Sequence, residues 1–283
     1  MRPLLLIQTG EAPESLLPRF GGFADWFRAA MRLEASRMHV VRVDEGGVLP
    51  VPHDVAGAVI TGSAAMVTER TAWSDYTAAW IREAMDAALP LFGVCYGHQL
   101  MAHALGGEVG WLPAGREIGT QSITRNDPVV TDWPDGLLAS FPAHTTHRQS
   151  VLAAPRGSKT LARSQRDPHQ WLRYAPHTLS TQFHPEFTVD VMRAYIAARA
   201  DVLREEGLVP DALGAGVRET ESARRLLEHF AHAALQRQRA AAFVKSQATE
   251  FLAMDGGSQD RSDVSISESS IRVRVPSMRG DQG

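Results

Sequence analysis

Pro90-Leu91-Phe92-Gly93-Val94-Cys95-Tyr96-Gly97-His98-Gln99 joins an apolar run, Leu89 to Val94, to a cysteine set between two glycines. Gln99 to Leu105 then has helix-forming composition, and Gly106-Gly107 ends it. The order reads as buried strand, abrupt turn, helix. G-x-C-x-G is the cysteine form of a nucleophile elbow, in which small flanking residues let the chain reverse sharply and present the side chain at the tip. The N–H that follows the cysteine, that of Tyr96, is then placed where an oxyanion forms, and the helix N-terminus favours a thiolate over a thiol.

Outward from this turn, apolar strands are expected at Leu4–Thr9, His39–Val43 and Val55–Thr61, the last breaking at Gly62-Ser63. Helical spacing covers 20–37 and 74–89, the second with Ser74 as N-cap. This alternation predicts an α/β fold: a doubly wound, mostly parallel sheet with helices on both faces. Glu117–Thr124 alternates, and short β-like pieces follow at 150–152, 160–162 and 170–174, which predicts an antiparallel extension of the sheet. Residues 143–150 read as a loop. A strand at 178–183 runs into His184-Pro185-Glu186, and helices are expected over 189–206 and 218–251. Three parts are expected: a domain over 1–210, C-terminal helices over 211–253 packed on it or forming a self-association surface, and a disordered tail over 254–283, where Ser, Asp, Gly and Arg dominate.

The 283-residue chain carries a formal net charge of −3 and is 44% hydrophobic, which gives no electrostatic reason to expect nucleic acid or an anionic membrane as partner. No apolar run approaches the roughly 20 residues of a membrane span, and the N-terminus reads as a strand rather than a signal peptide. Cys95 is the one cysteine, so an intrachain disulfide and a cysteine-rich zinc site are excluded and a reducing, cytoplasmic setting is expected. His98 and His103 have poor metal spacing, and His144 and His147 lie in loop-like sequence, so no metal and no cofactor are expected.

A cysteine nucleophile requires a base, and the base an orienting group. His184 and Glu186, two apart at a predicted strand end, are expected to share a face. Cys95 and His184 both fall at the carboxyl ends of predicted strands, the edge where open α/β sheets build sites. Cys95 as nucleophile, His184 as base and Glu186 as orienter form a coherent catalytic set.

Gly93-Val94-Cys95-Tyr96-Gly97-His98-Gln99, with Gln182-Phe183-His184-Pro185-Glu186 downstream, resembles the class I glutamine amidotransferase family of triad type, in the branch similar to the glutaminase domain of GMP synthase. The resemblance covers element order over residues 3–250 and is detailed only at the motifs. It implies hydrolysis of the glutamine side-chain amide through a γ-glutamyl thioester on Cys95, with release of ammonia. It further implies an oxyanion hole from Gly62 and Tyr96. Ser63 and Ala64 stand where the family has a second glycine and a proline. Gln99 matches a position that contacts substrate, and His147 is the shared residue of a loop that holds the amino-acid end of glutamine.

Neither a G-x-x-x-x-G-K-[ST] loop nor a Ser-Gly-Gly phosphate loop occurs in the chain. The expected function is therefore that of a stand-alone glutaminase, whose ammonia passes to a separate synthetase subunit. A γ-glutamyl peptide hydrolase with the same triad is the second reading, and a non-catalytic binding or regulatory protein on the same fold is the third.

Overall fold

The computed structural model describes residues 2–127 and 138–255, with side chains up to 240. The chain divides into two compact units, 1–241 and 242–283. Of the second, the described part, to residue 255, is helical. The expected tail over 256–283, with its alternating stretch at 271–275, lies outside the described residues.

A nine-stranded sheet forms the centre of the first unit. Its strands are β1 (Leu4–Gln8), β2 (Met38–Arg42), β3 (Gly57–Ile60), β4 (Leu91–Val94), β6 (Glu117–Arg125), β7 (Ser140–His147), β9 (Lys159–Arg163), β10 (Trp171–Ala175) and β11 (Thr178–Thr181). β5 (Glu108–Trp111) and β8 (Gln149–Ala153) make a separate antiparallel pair. The spatial order is β2-β1-β3-β4-β11-β10-β9-β6-β7. The first five strands pair in parallel, and from β11 onward every pairing is antiparallel. The parallel sheet with an antiparallel extension is thus present.

The period-2 geometry of strands explains the two cores. Along β1, Leu4 and Leu6 enter one cluster, and Leu5 and Ile7 enter the other. The first is covered by α2 (Phe23–Ala30), α5 (Val189–Ala198) and the part of α8 (Glu221–Asp255) from Ala223 to Leu235, and the second by α3 (Ala72–Asp86) and α4 (Tyr96–Ala104). A strand buried on both faces must be apolar throughout, which is why β1, β3 and β4 read as unbroken apolar runs.

Several expectations are corrected. The helix over 20–37 is interrupted: α1 (Leu17–Phe20) ends at Gly21, whose φ of 71° is left-handed, α2 stops at Ala30, and Arg32 is also left-handed. Thr71, not Ser74, precedes α3, and Ser74 is buried, accepting a 2.7 Å hydrogen bond from the Tyr96 hydroxyl. The helix over 189–206 breaks at Arg199 into α5 and α6 (Ala200–Glu205), and α7 (Pro210–Ala215), started by a proline, precedes α8. Residues 143–150 form no loop. They are the end of β7 and the start of β8, because Ala143, Thr145 and His147 alternate inward beneath β6.

α8 is integral to the core: Leu226, Leu227, Phe230, Ala231 and Ala234 are buried with Leu4, Val59 and Phe92, and the Phe92 and Phe230 rings lie 5.2 Å apart. Each such apolar side chain contributes about 2–5 kcal/mol against a total stability of about 5–15 kcal/mol. A chain ending at Pro210 is therefore expected to lose cooperative thermal unfolding in circular dichroism. An unchanged melting curve contradicts this packing.

Candidate active site

β3, β4 and β11 are neighbours in the parallel part of the sheet, so their carboxyl ends open on one place. Each end carries a residue singled out above: Gly62 after β3, Cys95 after β4, and His184 beyond β11. The pairing of Val94 with Thr181, and the 2.8 Å bond from Cys95 N–H to the Thr181 carbonyl, bring the distant segments together.

The turn at Cys95 is tight. Cys95 adopts φ 52° and ψ −101°, a left-handed φ that costs a non-glycine residue energy. A Cβ on Gly93 would stand 2.5 Å from the Gly97 carbonyl oxygen, and one on Gly97 would stand 2.5 Å from that of Ile60. Only glycine lets α4 start this close to β3 and β4. Tyr96 is the first residue of α4, where an N–H has no intrahelical acceptor.

His184 and Glu186 do not share a strand face as expected. β11 ends at Thr181; His184 then forms an isolated antiparallel bridge with His144, and Glu186 sits in the turn that follows. There His184 Nδ1 and Glu186 Oε1 are 2.7 Å apart, both side chains nearly fully buried. Proline between them serves this turn rather than interrupting a strand. The His184 N–H bonds the His144 carbonyl at 2.8 Å, and Phe187 stacks on the imidazole at 4.3 Å between centroids. Nε2, the other ring nitrogen, is buried without a hydrogen-bond partner in the protein. Gly62 lies between ring and thiol: a Cβ there would be 3.1 Å from His184 Cε1 and 3.6 Å from Cys95 Cβ. The Gly62 carbonyl accepts from the Thr9 and Thr61 hydroxyls at 3.0 and 2.9 Å, which holds this peptide in place.

Electrostatics follow from this geometry. Burial alone pushes the Cys95 thiol up, but the neighbouring His184, with a smaller pull from His147, outweighs it and holds the thiol below its ordinary value. Burial pulls His184 down, but Glu186 and Cys95 raise it to about 10. Both shifts run toward a thiolate beside an imidazolium and away from the neutral pair.

Cys95 and His184 line a cleft of about 320 Å³ with Gly62, Tyr96, Gln99 and His147. Gln99 and His147 are largely committed to the protein: Gln99 Nε2 donates to the Gln149 carbonyl at 2.7 Å and to Gln182 Oε1 at 3.0 Å. His147 Nδ1 donates to the same carbonyl at 2.9 Å, and its Nε2 meets Glu117 Oε2 at 3.0 Å. Both ring nitrogens thus face acceptors, which suits an imidazolium. Burial lowers its pKa, but Glu117, aided by Asp167, lifts it above the ordinary value. Glu117 also accepts from Ser164 and Gln170, each at 2.6 Å. The two residues therefore pin the backbone of 147–149 at the cleft edge.

Thr9, Glu117, Arg148, Tyr195 and Arg199 were not singled out from sequence. Glu117 carried one usable signal, a carboxylate opening an alternating strand. The others depend on contacts between distant segments. Among the described residues no helix is long and apolar enough to cross a membrane, and no group of three or more His, Cys, Asp or Glu side chains is placed to hold a metal.

The family model described as "Glutamine amidotransferase class-I" matches residues 25–200. The "GMP synthase [glutamine-hydrolyzing]" of Thermomicrobium roseum is 37% identical over 133 residues, 46% of this chain but only 23% of that protein. "Gamma-glutamyl peptidase 5" of Arabidopsis thaliana is 27% identical over 183 residues, 61% of this chain and 71% of the relative. A glutamine amidotransferase structure from Thermotoga maritima superposes with a TM-score of 0.62 at 20% identity, over 84% of this chain and 98% of that one. At that identity the likeness shows the fold.

Proposed function

The chain belongs to the class I glutamine amidotransferase family, and on that premise we propose that it is a thiol amidohydrolase acting on the γ-amide of a glutamyl group, glutamine being the smallest such substrate. The observation that carries this reading is that Cys95 and His184 line one cleft while Glu186, buried behind the imidazole, holds its Nδ1, with the thiol held low and the imidazole held high.

In the proposed sequence the Cys95 thiolate attacks the γ-carbonyl carbon and a C–S bond forms. Negative charge on the oxygen is met by the Tyr96 N–H and the Gly62 loop, donors that need no reorganisation as charge develops. The C–N bond then breaks, and the departing nitrogen takes its proton from His184. Water, deprotonated by His184, cleaves the thioester, releasing glutamate and restoring the thiolate. Glu186 holds the imidazole in orientation and stabilises its charged form. With glutamine the product nitrogen is ammonia, which a separate synthetase subunit would consume.

The test is hydrolysis of glutamine and of γ-glutamyl dipeptides by the pure chain and by Cys95→Ala. Equal activity in both proteins contradicts the reading, and glutamine binding with no turnover of any γ-glutamyl compound favours a non-catalytic role.

A pH dependence follows. A free thiol with pKa of roughly 8.5 loses about tenfold in thiolate for each pH unit below that value. Because Cys95 is held lower by His184, its alkylation by iodoacetamide is expected to fall less steeply between about pH 8 and 6.5 than that of a free thiol. In His184→Ala the lowering charge is gone and burial raises the thiol, so the rate should fall steeply over the same range. Identical profiles in the two proteins refute the coupling.

A further inference from the structure

The cleft presents three guanidiniums, Arg116, Arg148 and Arg199, and no carboxylate among its described lining residues. Arg116 is already neutralised by Glu206, its Nε and Nη2 reaching the two carboxylate oxygens at 2.5 and 2.8 Å. The other two rest on aromatic rings: Arg148 lies 5.2 Å from the Trp111 centroid and Arg199 lies 4.1 Å from that of Tyr195. Arg199 Nη1 is buried and meets no acceptor. A buried guanidinium nitrogen without an acceptor is costly unless an anionic ligand supplies one.

The two arginines reach the cleft from different segments of the chain. Arg148 lies between His147 and Gln149, in the segment pinned by Gln99, Glu117 and His147. Arg199 lies on the imidazole side, through a continuous stack: Arg199 on Tyr195, Tyr195 at 5.0 Å from Phe187, and Phe187 at 4.3 Å from His184. A leaving nitrogen that takes its proton from His184 must depart on this side.

Glutamine carries one carboxylate, which answers one guanidinium and leaves the other without an anion. From this, and resting on the amidohydrolase reading above, we infer that the preferred substrate is a γ-glutamyl amino acid, whose second carboxylate, on the leaving amine, is bound by Arg199. Arg148 receives the carboxylate of the glutamyl end. Phe23 and the half-exposed Val202 line the same cleft and offer apolar contact to the leaving residue's side chain. The chemistry is the same and balances: the C–S bond forms, the C–N bond breaks, the free amino acid leaves with the proton from His184, and water completes hydrolysis to glutamate.

The experiment compares kcat/KM of the full chain for γ-glutamyl-alanine, its neutral C-terminal amide and glutamine. The acid is expected to exceed the amide at least tenfold, through KM, and added salt should shrink that ratio. Arg199→Gln should bring the ratio close to one, and Arg199→Lys, which keeps the charge, should restore part of it. Equal turnover of acid and amide by the native protein overturns the inference, as does an Arg199→Gln loss shared equally by both dipeptides, the mark of a purely structural role. Glutamine hydrolysis without dipeptide hydrolysis also overturns it but leaves the amidohydrolase reading standing. Failure to hydrolyse any of the three removes both.

Discussion

Cys95→Ser is expected to lower kcat/KM for any γ-glutamyl substrate by about four orders of magnitude or more, while the protein stays folded. The substitution replaces one atom on a buried side chain that packs beside Gly62 and His184. Little volume changes, so the sheet and the two cores should be unaffected. What disappears is the thiolate. His184 is raised because Glu186 and the Cys95 charge both stabilise its proton, and a hydroxyl that stays neutral removes one of those two. The nucleophile and the charge state of the acid therefore fail together. The check is steady-state turnover alongside thermal unfolding. A large loss of rate with an unchanged melting temperature is the expected pair of results, and residual activity above about one part in a hundred contradicts the nucleophile assignment.

Gly97→Ala is expected to act through stability, with activity lost as a consequence. A methyl at this position would stand 2.5 Å from the Ile60 carbonyl oxygen and 2.9 Å from its carbonyl carbon, both backbone atoms in β3. No rotamer relieves a clash between Cβ and backbone, so α4 must move off the sheet. Overpacking of this kind costs about 3 kcal/mol or more, a drop of roughly 6–12 °C in melting temperature for a domain of this size. Movement of α4 also displaces the Tyr96 N–H that its first turn presents. Gly93→Ala meets the same obstacle from the Gly97 carbonyl at 2.5 Å. By contrast, nothing lies within 4 Å of a Cβ at Gly106, where alanine carries only the strain of a left-handed backbone. A melting temperature for Gly97→Ala within about 2 °C of the native value contradicts the close approach of helix and strand.

Much of this architecture is legible in the sequence. β1, β3 and β4 are buried on both faces, and continuous apolar runs can mean little else when flanked by glycine and helical segments. The elbow announced itself because two glycines around a cysteine satisfy a steric requirement that few other pairs meet. The boundaries were less legible. Helical spacing persists across Gly21 and Arg32, although the backbone turns left-handed there, and periodicity does not register a change in φ. β7 is hard to read because its second half falls in the loop-like stretch 143–150, where two histidines, two threonines and a serine have turn-like composition. Its strand character comes from pairing with β6 along eight positions, a long-range property.

At the site, residue identity was readable and geometry was not. Cys95, His184 and Glu186 stand out by type and spacing, yet their meeting depends on β4 and β11 being neighbours. The two histidine-to-carboxylate contacts differ in the same way. His184 with Glu186 is local and was visible as a short motif. His147 with Glu117 joins two strands, and only the pairing of residue 117 with residue 147 in the sheet brings them together. The aromatic supports of Arg148 and Arg199 were invisible for the same reason.

Covalent capture is the most direct test of the central claim, that Cys95 is a thiolate positioned to attack a γ-glutamyl carbon. The protein is treated near neutral pH with a chloroketone analogue of glutamine and digested, and the peptides are analysed by mass spectrometry. One label per chain is expected, on Cys95, slowed by a competing γ-glutamyl substrate and strongly slowed in His184→Ala. A label distributed over histidines or lysines, or one on Cys95 that neither substrate nor the His184 substitution affects, would contradict it.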